Sequence, residues 1–161
     1  MSEFAAIDTF FWQTFTGDAL LKERLTAQQV ALGYAPNGLA FYHDTAPRSA
    51  PYPFVSWSFI SALANHGHRW VGCCYLNGAN CAWTYLRFSV AVWTRAGNSE
   101  SISSIFSRFD DLLMIKSEVR NEHGVIIDCF RKSPYERVIT EVGQVYHTLG
   151  GFWDIRVSGR D

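Results

Sequence analysis

A chain of 161 residues, 48% hydrophobic and 18% charged, holds enough apolar material for one core and reads as a single domain over residues 1–161. Lys plus Arg (14) against Asp plus Glu (15) leaves a formal charge of −1, and no basic run occurs anywhere, which excludes tight binding of nucleic acid through its phosphates. No stretch supplies the roughly 20 apolar residues of a membrane span, and Met1-Ser2-Glu3-Phe4 does not open a signal peptide, so Cys73, Cys74, Cys81 and Cys129 are expected as reduced thiols.

In chain order, Phe4, Ile7, Phe11 and Phe15 recur at spacings of three and four and predict a helix over 4–16. Asp18 is placed to cap a second helix running to about residue 32, with Leu21 and Leu25 on its buried face and Gly33 as its stop. The two make a helical hairpin. Residues 34–53 are rich in turn formers, with room for one short strand at 39–43. A strand follows over 54–60, with Phe54 and Ser56 on one face and Val55 and Trp57 on the other.

Residues 64–82, interrupted by Gly67, Gly72 and Gly78, read as a long excursion of the kind that is usually functional or disordered. Residues 85–93 then alternate cleanly, with Leu86, Phe88, Val90 and Val92 sharing one face. An amphipathic helix starting near Ser99 carries Ile102, Ile105, Phe106, Phe109, Leu112 and Leu113 on one stripe, while Ser103, Ser104, Ser107, Arg108 and Asp111 face water. Strands are expected at 125–131, near 137–140 and at 152–157, with Gly150-Gly151 as a bend admitting the last one. The order ααβββαβββ predicts an α+β fold: a mostly antiparallel sheet with the long helix and the N-terminal helical hairpin packed on one face.

Aromatic residues make up 16% of the chain, including six Trp and twelve Phe. So many rings strain the interior of one small subunit, so some are expected on the surface, where they mark contacts with other proteins.

Side chains with chemistry are present but poorly arranged for it. His66, His68, Cys73, Cys74 and Cys81 are of the types Zn²⁺ prefers, yet adjacent Cys73-Cys74 is not the C-x(2–4)-C knuckle that turns both sulfurs inward. His43-Asp44 and His147 lack a nucleophile in a recognisable setting. Asp110-Asp111 diverge around the helix and read as a solvated face. No catalytic residue, cofactor motif or metal site is therefore assigned. Two other readings remain open. One is a carbohydrate- or ligand-binding module using Trp57, Trp83, Trp93 and Trp153 as a flat aromatic face; the other is a zinc-stabilised or metal-dependent domain around His66, His68, Cys73 and Cys81.

Several strings fall in an order that resembles the tail-completion family of long-tailed bacteriophages, the tail terminators and tail-to-head joining proteins. They are Ala50-Pro51-Tyr52-Pro53-Phe54-Val55-Ser56-Trp57, then Phe88-Ser89-Val90-Ala91-Val92-Trp93, the helix over 99–115, and Gly150-Gly151-Phe152-Trp153-Asp154-Ile155-Arg156-Val157. The resemblance covers roughly residues 50–157. It implies a non-enzymatic virion protein, present in the host cytoplasm during assembly. It also implies a homo-oligomeric ring, a hexamer, that ends tail-tube polymerisation and joins tail to head. Its partners would be copies of itself, the tail tube protein and the head-tail connector, with DNA passing through the lumen without tight binding and no membrane involved. Within that picture the 64–82 loop is the candidate for reaching into the lumen or across to the next ring.

Overall fold

The structure, a computed structural model, describes residues 2–62, 84–95 and 99–159. Among these residues the elements run α1 (Ser2–Gly17), α2 (Ala19–Ala31), β1 (Phe41–His43), β2 (Phe54–Ala62), β3 (Thr84–Arg95), α3 (Ser99–Leu113), β4 (Val119–Asn121), β5 (Gly124–Glu141) and β6 (Gln144–Gly159). The strands form one six-stranded sheet in the order β1-β2-β3-β6-β5-β4. Every neighbouring pair is antiparallel except β1 with β2. The fold is α+β.

The helices cover one face of the sheet where its residues form a continuous apolar area. Val55 and Trp57 of β2, Leu86, Phe88, Val90 and Val92 of β3, Trp153, Ile155 and Val157 of β6 and Ile126 and Cys129 of β5 all point to it and are buried. Against them α1 sets Phe11, whose ring lies 5.7 Å from that of Trp57 and 5.5 Å from that of Phe88. From α3, Phe109 meets Trp153 at 5.8 Å. Ring pairs at such separations add to the burial of their area. The stripe expected on α3 is the buried one: Ile102, Ile105, Phe109 and Leu113 are fully enclosed, with Phe106 and Leu112 at its margin. Helix α2 packs on α1 and α3.

Asp18 caps α2 as expected, accepting the Leu21 amide at 2.7 Å. It also holds Arg108 of α3 through two hydrogen bonds of 3.1 and 2.6 Å. The Arg108 guanidinium keeps the Asp18 carboxyl below the usual carboxylate range, with the Leu21 amide adding to it and burial opposing. Arg108, expected to face water, is thus a clamp between two helices. Asp110 departs the same way. It receives the Arg131 guanidinium at 2.7 Å, and its carboxyl is pushed up because burial outweighs that cation. Gln29, which sequence reasoning passed over, is fully buried. It donates to the Asn37 and Pro53 carbonyls and accepts the Asn37 amide at 2.6 Å, tying the end of α2 to the turn-rich segment.

The last third of the chain corrects three expectations. The pieces expected at 125–131 and 137–140 are one strand, β5, which continues through Pro134 beside β6. The strand before them, β4, was not foreseen. Gly150-Gly151 is no bend: both residues are paired within β6, where Gly150 lies between Ala91 of β3 and Tyr135 of β5. A Cβ on Gly150 would lie 2.6 Å from the Val90 carbonyl oxygen and 2.7 Å from the Ala91 Cβ, so the glycine is required by close approach. The actual reversal is Val142-Gly143, both at positive φ (48° and 73°), the conformation of a tight hairpin turn.

Candidate assembly surface

Residues facing away from the helices divide the open side of the sheet in two. Near the β5–β6 ends that carry Asp128 and Asp154, it is a charge ladder. Arg87 grips Asp154 through bonds of 2.7 and 2.9 Å, and Arg156 meets Asp128 at 2.6 Å; each pair sits directly cross-strand in the register. Such directly opposed unlike charges stabilise the sheet locally.

Toward the hairpin tip the open side is aromatic. A groove of about 420 Å³ is floored by Phe54, Ser56 and Trp93, walled by residues 44–48 with Tyr52, and closed opposite by Ile139, Glu141 and Tyr146. Its rings form a chain: Tyr52 lies 5.1 Å from Phe54 and 5.9 Å from Tyr146, and Phe54 lies 6.4 Å from Trp93. The Trp93 indole N–H donates to Ser56 Oγ at 2.9 Å. Burial pushes the Tyr52 phenol up, with Tyr146 and Tyr34 adding to it. The groove is an amphipathic concavity whose charged lining residues are Asp44, Arg48 and Glu141. It offers rings for stacking and apolar area for packing.

The flat face of four tryptophans does not form. Trp57 and Trp153 are buried on the helix side, Trp93 lies half-buried in the groove, and Trp83 lies outside the described residues. The expectation of surface rings holds for a few: Trp12, Phe59 and Phe130 are exposed. Among the described residues most of the large exposed apolar side chains are aliphatic, and Val138, Ile139, Val142 and Val145 lie on one hairpin.

The residues with candidate chemistry scatter. His66, His68, Cys73, Cys74 and Cys81, and with them the 64–82 loop, lie outside the described residues. Among the described residues no group of three or more His, Cys, Asp or Glu side chains could hold a metal ion. Cys129 is a buried free thiol whose pKa is raised by burial, the opposite of what a nucleophile needs. His43 stacks on Trp57 and lies 3.3 Å from Asp8 and 3.5 Å from Asp44, while Asp8 also accepts the Trp57 indole N–H at 2.8 Å. His147 sits on β6 between Thr94 and Val138. Asp110 and Asp111 part company, the first in its Arg131 bond and the second in solvent.

An α+β sheet covered by helices on one side and open on the other, with an uncovered hairpin, is the class of architecture that this geometry defines. No protein-family model matches the chain, and no curated protein matches it either. Among solved structures, the fold is similar to that of a chain in the virion of a native gene transfer agent particle. The TM-score is 0.60 at 18% sequence identity, and the match covers 96% of this chain and 96% of that one. At that identity the likeness is one of fold.

Proposed function

We propose that this chain is a structural component of a phage-like virion, of the tail-completion kind, acting as one domain without catalysis. The observation that carries the reading is the shared fold with a gene transfer agent virion chain over nearly the full length of both. The chain's own surfaces agree with it. An assembly protein needs area to bury against neighbours, and the aromatic groove with the exposed aliphatics of the hairpin that borders it supplies such area; head-to-tail contacts that join it to a different patch of the next copy would close a ring. The ring, in this reading a hexamer, would sit at the head-proximal end of the tail, stop tube growth on one side and receive the head connector on the other. With a formal charge of −1 and no basic run, its lumen would let DNA slide through.

Negative-stain imaging of the purified protein, alone and with tail-tube protein, is the direct test. Rings with a central hole, and native masses at multiples of 18.2 kDa, are the expected result. A species that stays a strict monomer in both preparations would overturn the reading.

A further inference from the structure

The outer edge of β5 is guarded along one half only. Strand β4 pairs with Gly124–Ile126, and from there the register shifts between Ile126 and Asp128 and again between Arg131 and Ser133. Pro134 follows at once. Bulges, prolines and charges are the devices by which sheets keep their edges from pairing with other chains. Beyond Pro134 the bulges and prolines stop, and only the charges Glu136, Arg137 and Glu141 remain. Tyr135-Glu136-Arg137-Val138-Ile139-Thr140-Glu141 is regular, pairs on its inner side with β6, and has no strand on its outer side among the described residues. Val138, 60% exposed, and Ile139 are β-branched residues of the kind strands favour, left in solvent.

Its charges select the occupant. With no bulge after Ser133, Arg137, Ile139 and Glu141 share the open side of the sheet, and Val138 and Thr140 the other. Lay a second copy of the same segment antiparallel along the edge, with a twofold axis at Ile139. Ile139 then meets Ile139 of the second copy, Val138 meets Thr140, and each Arg137 stands opposite a Glu141. Directly opposed unlike charges stabilise a strand pair and like charges oppose it. Centring one position back, at Val138, sets Arg137 against Ile139 and Glu136 against Thr140, and leaves every charge unmatched. Within its own hairpin Arg137 faces Thr148 and Glu141 faces Gln144, so neither charge has an opposite partner across to β6.

We infer that two copies of this chain associate edge to edge through Tyr135–Glu141 of β5, antiparallel about Ile139, joining two six-stranded sheets into one. The contact is isologous and links copies in pairs. It cannot itself close a ring, so it adds to any ring contact and stands independently of that reading.

Charge exchange tests it on the full chain, with mass by light scattering as the readout and circular dichroism as the check on folding. R137E sets Glu against Glu across the axis and E141R sets Arg against Arg. Each single variant is expected to halve the mass of the wild-type species and to weaken pairing at least tenfold. Mixing the two singles in equal amounts restores both unlike pairs, as does the double variant R137E/E141R, so the mass should return in each case. A wild type that stays monomeric up to about 1 mM, above the range of specific self-association, overturns the inference. So do single variants that keep the wild-type mass, or a mixture that fails to recover it. A wild type that pairs without forming rings would count against the ring reading alone.

Discussion

The β5–β6 hairpin is one pair of strands in two environments. In its near half, Ile126 and Cys129 of β5 and Trp153, Ile155 and Val157 of β6 lie under α1 and α3, and the opposite side is locked by Arg87–Asp154 and Arg156–Asp128. In its far half the same alternation continues, but Val138 and Val145, on the helix side, are exposed. Alternation therefore reports which side a residue faces and not whether anything covers it. The near half belongs to the core; the far half is surface that no described element covers.

Breaking the near half has the largest expected effect. Trp153 is fully buried against Phe106 and Phe109, so Trp153→Ala should cost about 3–5 kcal/mol in urea or guanidinium denaturation. Its indole N–H has no hydrogen-bond partner among the described residues, so Trp153→Phe should cost clearly less than Trp153→Ala. Equal losses from both would mean that the indole matters beyond its volume.

At the joint between the halves, Gly150→Ala should destabilise by about 1–3 kcal/mol, since a new methyl meets a backbone carbonyl and a Cβ that cannot swing away. The same denaturation experiment reads it. An unchanged midpoint would show that β3 and β6 are not held this closely.

What the sequence revealed follows the same division. Where a helix or strand lies in the core, period and burial coincide. The α3 stripe, the alternation of β3 and the two faces of β2 were readable because apolar spacing is the cause of their burial, and the Asp18 cap because a carboxylate ahead of a helix accepts its first free amides. The order ααβββαβββ also matches, but in its last three strands the agreement is partly accidental: β4 was missed, and two expected pieces are the single strand β5. The reasons are local. Pro134 interrupts the pattern of β5 yet is tolerated there because an edge strand needs no outward N–H. Val142-Gly143 lacks the Asn-Gly that signals a hairpin, and a Gly-Gly pair suggests a bend until a close neighbour accounts for it. Arg108 and Asp110 looked solvated because a helical wheel gives direction, whereas the charges that receive them, Asp18 and Arg131, come from elsewhere in the chain. The candidate surface was legible only as an excess of aromatic side chains. That the exposed share is mostly aliphatic and gathered on one hairpin depends on where the helical layer ends, which no local pattern encodes.

The smallest effect should come from the tip of the far half, and its sign is the informative part. Val142 is 97% exposed at φ 48°, where a β-branched side chain crowds its own backbone. Asn at this position is the natural choice for such a turn, so Val142→Asn should stabilise the isolated chain by about 1 kcal/mol, read as a higher denaturation midpoint. At 97% exposure the valine covers no neighbour among the described residues, and nothing in them explains it. Strain of this kind persists where something outside local stability maintains it. In the edge-to-edge pairing inferred above, the Val142 turn follows directly on the paired segment Tyr135–Glu141 and so lies at the margin of the contact. The substitution should therefore favour the folded subunit while weakening its association. A variant gaining in both measures would leave the residue unexplained, and one losing stability would show that the turn does not hold the conformation described.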